Sequence, residues 1–411
     1  MERATDLPPE KEELPPSGTG SPIVDSFSLV EGGPIYRFQR AIGMALPNRQ
    51  GVLKRALLTT LITWFPLLVL SLVQHRAFGP LIKIPFLHDF AVSIRFLIGL
   101  PLLVIAEAVI DPRLGHAVKH FVKSGLVPPE GLPAFERVIL RTNRLRDSVL
   151  PAIVILVAAF APSIWYKQTE LLRSGVSTWH TIVSPSGESL SLAGWWFGAI
   201  SVPLFRVLLF RWVWMLVLWT IFLKRVAGLE LGCIGSHPDT CGGLGFLAEI
   251  QPFFGFIAFA GSAVVAGALG NAIAYEGATV SSLKFLIIAY CVLAIIVFAA
   301  PLLALTPKLA KVKRRDLYQY GALGTAYAEA FDAKWIQRLT PNREPLLGTS
   351  DIQSLADLYN SFSAIRDMKV VLIDKRVLAS LALGAILPML PMIIIATPTE
   401  ELVRAVLRLL V

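Results

Sequence analysis

Seven stretches, at positions 56–73, 89–110, 148–166, 205–223, 253–275, 283–305 and 377–396, are apolar over nearly their whole length. Few folds accommodate such a chain. About 20 apolar residues in a helix cross the hydrocarbon core of a bilayer. Backbone N–H and C=O groups in hydrocarbon must be satisfied internally, which favours helices for segments of this length. A soluble domain has about 25% charged residues; this chain has 16%, with 55% hydrophobic. The expected fold is therefore all-α, a polytopic transmembrane helix bundle of about seven spans. Its necessary partner is the lipid bilayer. A homo-oligomer is left open, and nucleic acid is not expected despite a net charge of +9.

The segments between the spans divide the rest. Positions 1–34 are rich in Pro and Glu, lack the apolar core of a signal peptide, and read as a disordered N-terminal tail. Positions 35–55 are an amphipathic, basic lead-in. The membrane region then covers 56–305, six spans with a helical, basic loop at 113–147. Pro66 predicts a kink in the first span, and Asp111-Pro112 predicts the end of the second. Positions 167–190 read as a polar loop. The stretch just before 205 is either an interfacial lead-in or the outer part of one long helix. A cytoplasmic helical section follows at 306–376, with helices near 317–339 and 351–369 and a capping box at Ser350 and Gln353. The seventh span occupies 377–396. An amphipathic helix at 397–411, capped by Thr397 with Pro398 at its first position, should lie in the interface.

Lys and Arg concentrate before span one, between spans two and three, and between spans six and seven, while Lys224 and Arg225 open the loop between four and five. The positive-inside rule then places the N-terminus in the cytoplasm and the C-terminus outside, in a bacterial inner membrane.

Polar chemistry gathers at 229–249, LELGCIGSHPDTCGGLGFLAE. His237 and Asp239 suit an acid–base pair or a cation site, with Glu249 as a third catalytic candidate. Asp239 equally suits a helix N-cap, and Gly242 and Gly243 suit a tight turn. Cys233, His237 and Cys241 are spaced as three zinc-type ligands. The cluster lacks the usual paired-cysteine spacing, so free thiols are the default, and no cofactor is expected. Inside the spans stand Arg95, Arg206 and Arg211, whose cost at mid-membrane is about 2.5–3.5 kcal/mol each on insertion scales. With Arg95 and Arg211 at similar depth they would line an anion path; snorkelling, or an Arg95–Asp89 pair, is the plainer alternative. Glu107 and Glu249 would join His237 and Asp239 in an acidic vestibule, or pair with Arg113, Lys224 or Arg225. In span five, Ala263, Gly267 and Asn271 recur every four residues, spacing that lets helices approach closely and makes Asn271 an interhelical hydrogen bonder. The phosphate-binding, nucleophile-elbow, zincin and dinucleotide fingerprints are missing.

At HPDTCGGLGFL, and again at LGTSDIQSLADLYNSFSAIRDMK followed by the proline-bearing ILPMLPM, the chain resembles a group of uncharacterised bacterial multi-pass membrane proteins. The resemblance covers most of 50–400. It implies a multi-pass fold and carries no activity, substrate or site. The group's turn has the form HPD-x-x-GGL without cysteines, which leaves His237, Asp239, Gly242 and Gly243 as its core. Three functions follow as expectations. They are a channel or transporter for a small, anionic solute; a membrane scaffold or regulator acting through its cytoplasmic helices; and a membrane enzyme using His237, Asp239 and Glu249.

Overall fold

The computed structural model describes residues 20–41, 43, 49–79, 82–169, 178–184, 187–337 and 350–396. Residues 1–19 of the expected tail and the expected interfacial helix at 397–411 lie outside that description.

The molecule is an all-α helix bundle. Two short helices, α1 (Pro22–Asp25) and α2 (Gly33–Ala41), lead into α3 (Arg49–Val73). Span two is built from α4 (Phe90–Ile94), a π turn at Arg95–Gly99 and α5 (Leu100–Lys123). Next come α6 (Leu132–Asp147) and α7 (Val149–Thr169). A two-stranded hairpin, β1 (Thr181–Ser184) and β2 (Gly187–Leu190), occupies part of the expected loop. Span four joins α8 (Leu192–Trp196), a π turn at Phe197–Ser201 and α9 (Val202–Ala227). Then follow α10 (Phe246–Ile250), α11 (Gly255–Glu276), α12 (Val280–Leu303), α13 (Thr306–Phe331) and α14 (Ser350–Asp367). The last span is α15 (Lys375–Ile386), a 3-10 turn at Leu387–Met389, and α16 (Leu390–Ala396).

Among the described residues, seven helical segments are long and apolar enough to cross a membrane. Their outward faces are rows of exposed apolar side chains, such as Leu150, Ile153 and Val157 on α7 and Phe285, Leu293 and Ile296 on α12. In water such rows would be costly; in a bilayer they face lipid tails. The chain is a multi-pass membrane protein. Residues 192–227 form one continuous helical run, so span four crosses once.

Prolines explain the irregularities of spans two and four. Each π turn is followed within two residues by a proline, Pro101 or Pro203. A proline has no N–H for the carbonyl four residues back, and a wider turn accommodates that loss.

Four expectations need correction. The tail is not wholly free, because residues 20–33 fold against the bundle. Val24, Phe27, Leu29 and Val30 are buried there, and the Asp111 carboxylate accepts the Leu29 and Val30 N–H groups and the Ser28 hydroxyl. A few apolar side chains with a buried carboxylate partner outweigh a disorder-prone composition. Pro112 does not end span two: α5 runs on to Lys123, since one missing donor is tolerated in a well-packed helix. Helix α13 begins at Thr306 rather than near 317, so the basic run KLAKVKRR is helical. Ser350 is the first residue within α14 rather than its N-cap, and Gln353 Nε2 donates to Asp357.

Hydrogen bonds between loops define two ends. At one, Asp89 caps α4 through Val92 N–H, accepts Trp179 Nε1–H at 2.8 Å and Asn271 Nδ2 at 2.8 Å, and Asn271 in turn accepts Phe90 N–H. This ties the segments between spans one and two and between spans three and four to the end of span five. At the other, Gly232 N–H donates to Leu126 O, Gly235 N–H to Asp316, and Lys369 N–H to Thr240 O. This second end carries Lys119, Lys123, Lys308, Lys313 and Arg315 and is called the basic end.

Candidate functional site

The turn at 229–245 is held along one side by α13. Lys308 Nζ donates to Leu229 O, Arg315 Nη2 to Cys233 O, and the buried Asp316 carboxylate accepts Gly235 N–H at 2.6 Å. A side chain at position 235 would place its Cβ 2.9 Å from that carboxylate, which is why glycine stands there. Gly242 and Gly243 have φ of +65° and +90°, the left-handed region glycine tolerates best. Thr240 shares that region at +55°.

Asp239 organises the turn from inside. Its Oδ1 accepts Cys241 N–H at 2.8 Å and Gly243 N–H at 3.1 Å, and its Oδ2 accepts Gly245 N–H at 2.8 Å. It therefore stitches a loop rather than capping a helix. His237 Nδ1 lies 2.8 Å from Asp239 Oδ1, and the imidazole is half exposed. Partial burial alone would raise the Asp239 carboxyl, but the three backbone donors and His237 outweigh it and hold the group below the usual carboxylate range. The Asp239 N–H donates to the same Nδ1 at 3.3 Å.

These groups border a cavity of about 590 Å³ at the basic end. His120 from α5, Glu249 from α10, and Lys369, Asp374 and Arg376 from the approach to α15 complete its polar lining. Asp374 is itself the N-cap of α15, accepting Val377 N–H at 2.9 Å. Such a concave site with convergent titratable groups is the default place to look for binding. Span five is interrupted beside it by a 3-10 turn at Gln251–Phe254, and span seven starts there. The two spans then meet backbone to backbone: a Cβ on Gly384 would lie 2.5 Å from Gly255 O.

Compared with known protein families, curated proteins and solved structures, this chain matches none. Its geometry alone must therefore carry any functional reading.

Among the described residues no three His, Cys, Asp or Glu side chains gather closely enough to hold an ion. Cys233 is buried, and burial pushes its thiol up to about 11; burial raises Cys241 as well.

The buried arginines separate into two places. Arg211 Nη1 meets Glu107 Oε1 at 2.9 Å, and Arg55 Nη2 meets Glu107 Oε2 at 2.5 Å, all three side chains being at most 8% exposed. Glu107 therefore belongs neither to the vestibule nor to Arg113, Lys224 or Arg225. Arg95 instead faces the Phe205 ring at 5.9 Å, and Arg206 donates to Ala159 O and Ser163 Oγ. Arg211 is six residues beyond Phe205 on the same helical run, about 9 Å along the axis. Arg95 and Arg211 are thus at different depths and form no common lining. Gly267 packs on the Phe90–Ala91 backbone and Asn271 on Asp89, so the small-residue face of α11 serves close approach to α4. Sequence reasoning missed Lys369, Asp374, Arg376, His120, Arg55 and Asp316. A signal existed only for Asp374, a capping residue before an apolar run; the others act through contacts distant in sequence.

Proposed function

We propose that this membrane protein is a transporter for a small polar solute, which binds in the 590 Å³ cavity and exchanges protons through His237. The observation that carries this reading is the position of the cavity beside the 3-10 break in span five, where Glu249 and Pro252 line it. Discontinuous membrane helices at a polar site are the usual construction of secondary transporters. A lining that holds Lys369 and Arg376 together with Glu249 and Asp374 suits a zwitterion with one carboxylate and one amine. The basic end would face the cytoplasm of a bacterial inner membrane, as the positive-inside rule requires.

The test uses purified protein in vesicles with a trapped pH dye and a mixture of amino acids as solutes. Solute-dependent proton movement should appear, and His237→Gln should abolish it while leaving the melting temperature within a few degrees. If the wild type moves no protons with any amino acid, the transport reading fails. The His237–Asp239 pair then favours a second reading, an enzyme acting at the membrane surface. That reading requires His237-dependent chemical turnover of a solute added to the same vesicles.

A further inference from the structure

We propose that the protein holds one acyl tail of a bilayer phospholipid in an apolar groove between spans two, five and seven, toward the Asp89 end of the bundle. The proposal is independent of the transport reading. The groove follows from how span seven is built. Val377, Leu381, Ala385 and Met389, each one turn beyond the last, are fully buried. A 3-10 turn then interrupts the span at Leu387–Met389, with Pro388 inside it and Pro391 just behind. Each proline withholds a backbone N–H and bends the helix. Leu387, Leu390, Ile394 and Ile395 share one face of this second half and are 39% to 84% exposed. That face, with α11 and α4, encloses about 870 Å³.

Three observations identify the occupant. The first is chemical. Among the described residues of the wall, none carries a charged, hydroxyl or amide side chain. Water needs two or more polar partners to stay in such a place, so the groove suits hydrocarbon. It lies among the membrane spans, where hydrocarbon is the medium. The second is size. From Phe259 to Ala274 the wall follows α11 for about 22 Å. That exceeds the roughly 15 Å of hydrocarbon in one leaflet of a 30 Å core, so an extended tail fits along its length. A helix of a second copy, about 10 Å across, would need about 1,700 Å³ over the same length, about twice the groove. The third is the floor. At Gly267 a Cβ would lie 3.0 Å from Phe90 O, so that glycine serves the packing of α4. Gly270, nearly one turn further, serves no such contact: the nearest neighbouring atom, on the Phe90 ring, would be 4.0 Å from its Cβ. Helices leave the space above Gly270 open. A tail walled by three spans gains more dispersion contacts than one in the free bilayer, which retains it through purification.

The experiment is native mass spectrometry of the full chain, purified from phospholipid membranes and released from detergent. The wild type should carry one phospholipid per chain. Gly270→Leu places a side chain in the open space and should lose that adduct while keeping the melting temperature within a few degrees. Leu293→Phe, on the lipid-facing side of α12 away from the groove, should keep it. If Gly270→Leu does not fold, Ile394→Trp, which fills the groove from span seven, serves instead. Delipidated wild type should also gain at least about 2 °C in melting temperature when phospholipid is returned, and the filled variant should not. A wild type without bound phospholipid, or an adduct that persists in the filled variant, would overturn the proposal. So would a wild-type dimer that the filling substitution dissociates, since a second copy would then be the occupant.

Discussion

Asp239 shows how much a single carboxylate can do in a loop. Three backbone N–H groups and one imidazole converge on it, so its ionised form is a structural part of the turn. Its folded pKa lies below the unfolded value of about 3.9. The stability it contributes is therefore fully present above about pH 4 and is lost as the pH falls through the folded value. Asp239→Asn should melt below the wild type at pH 7, and the gap should close as the pH is lowered beneath about 4. Melting curves in detergent between pH 3 and 7 check this; parallel curves for the two proteins would refute it. Glu107 is the opposite case, a carboxylate committed to two buried guanidiniums. Its removal would leave both uncompensated, a loss of about 3–5 kcal/mol by the measure of buried pairs elsewhere.

At the scale of elements, α11 and α15 meet in a close seam beside the cavity. Gly255 and Gly384 bring the two backbones together, while Ser262 Oγ donates to Ala385 O and Ser380 Oγ to Pro252 O at 3.3 Å. Small residues with few hydrogen bonds make a surface along which helices can shift. Gly384→Ala forces a methyl group against Gly255 O and should cost about 1–3 kcal/mol in the closed packing. The expected outcome is a lower melting temperature together with altered solute-driven proton movement. Unchanged values in both measurements would mean that this seam is neither tight nor functional. The N-terminal segment is a second element with an unexpected part. It seals the bundle over Arg211, a position its composition gave no reason to expect.

The whole molecule has two unlike ends. One is knitted by Asp89, Trp179 and Asn271; the other gathers the basic loops around the 229–245 turn and the helices α13 and α14. Labelling decides which end faces the cytoplasm. Ser124 and Glu276 are exposed at opposite ends. In a background without the native cysteines, Glu276→Cys should react with an impermeant maleimide on intact cells. Ser124→Cys should react only after permeabilisation. The reverse pattern would invert the orientation.

Fold class was legible because it depends on runs of like residues. Twenty apolar positions require a hydrophobic medium and an internally bonded helix, whatever their neighbours are. The glycine turn around His237 and Asp239 was legible for the same local reason. What surrounds it was not. Lys369, Asp374 and Arg376 reach the cavity from more than a hundred residues away, and His120 from a similar distance on the other side. Arg211 looked like part of a lining until Arg55 and Glu107 enclosed it; a charge in a sequence carries no record of its partner. Residues 20–33 looked free because composition counts side chains singly, whereas burial of Phe27 and Leu29 under the Asp111 carboxylate depends on a surface made elsewhere. Local pattern determined the helices, the turn and their medium. Only tertiary packing decided which charges are neutralised and where the cavities lie.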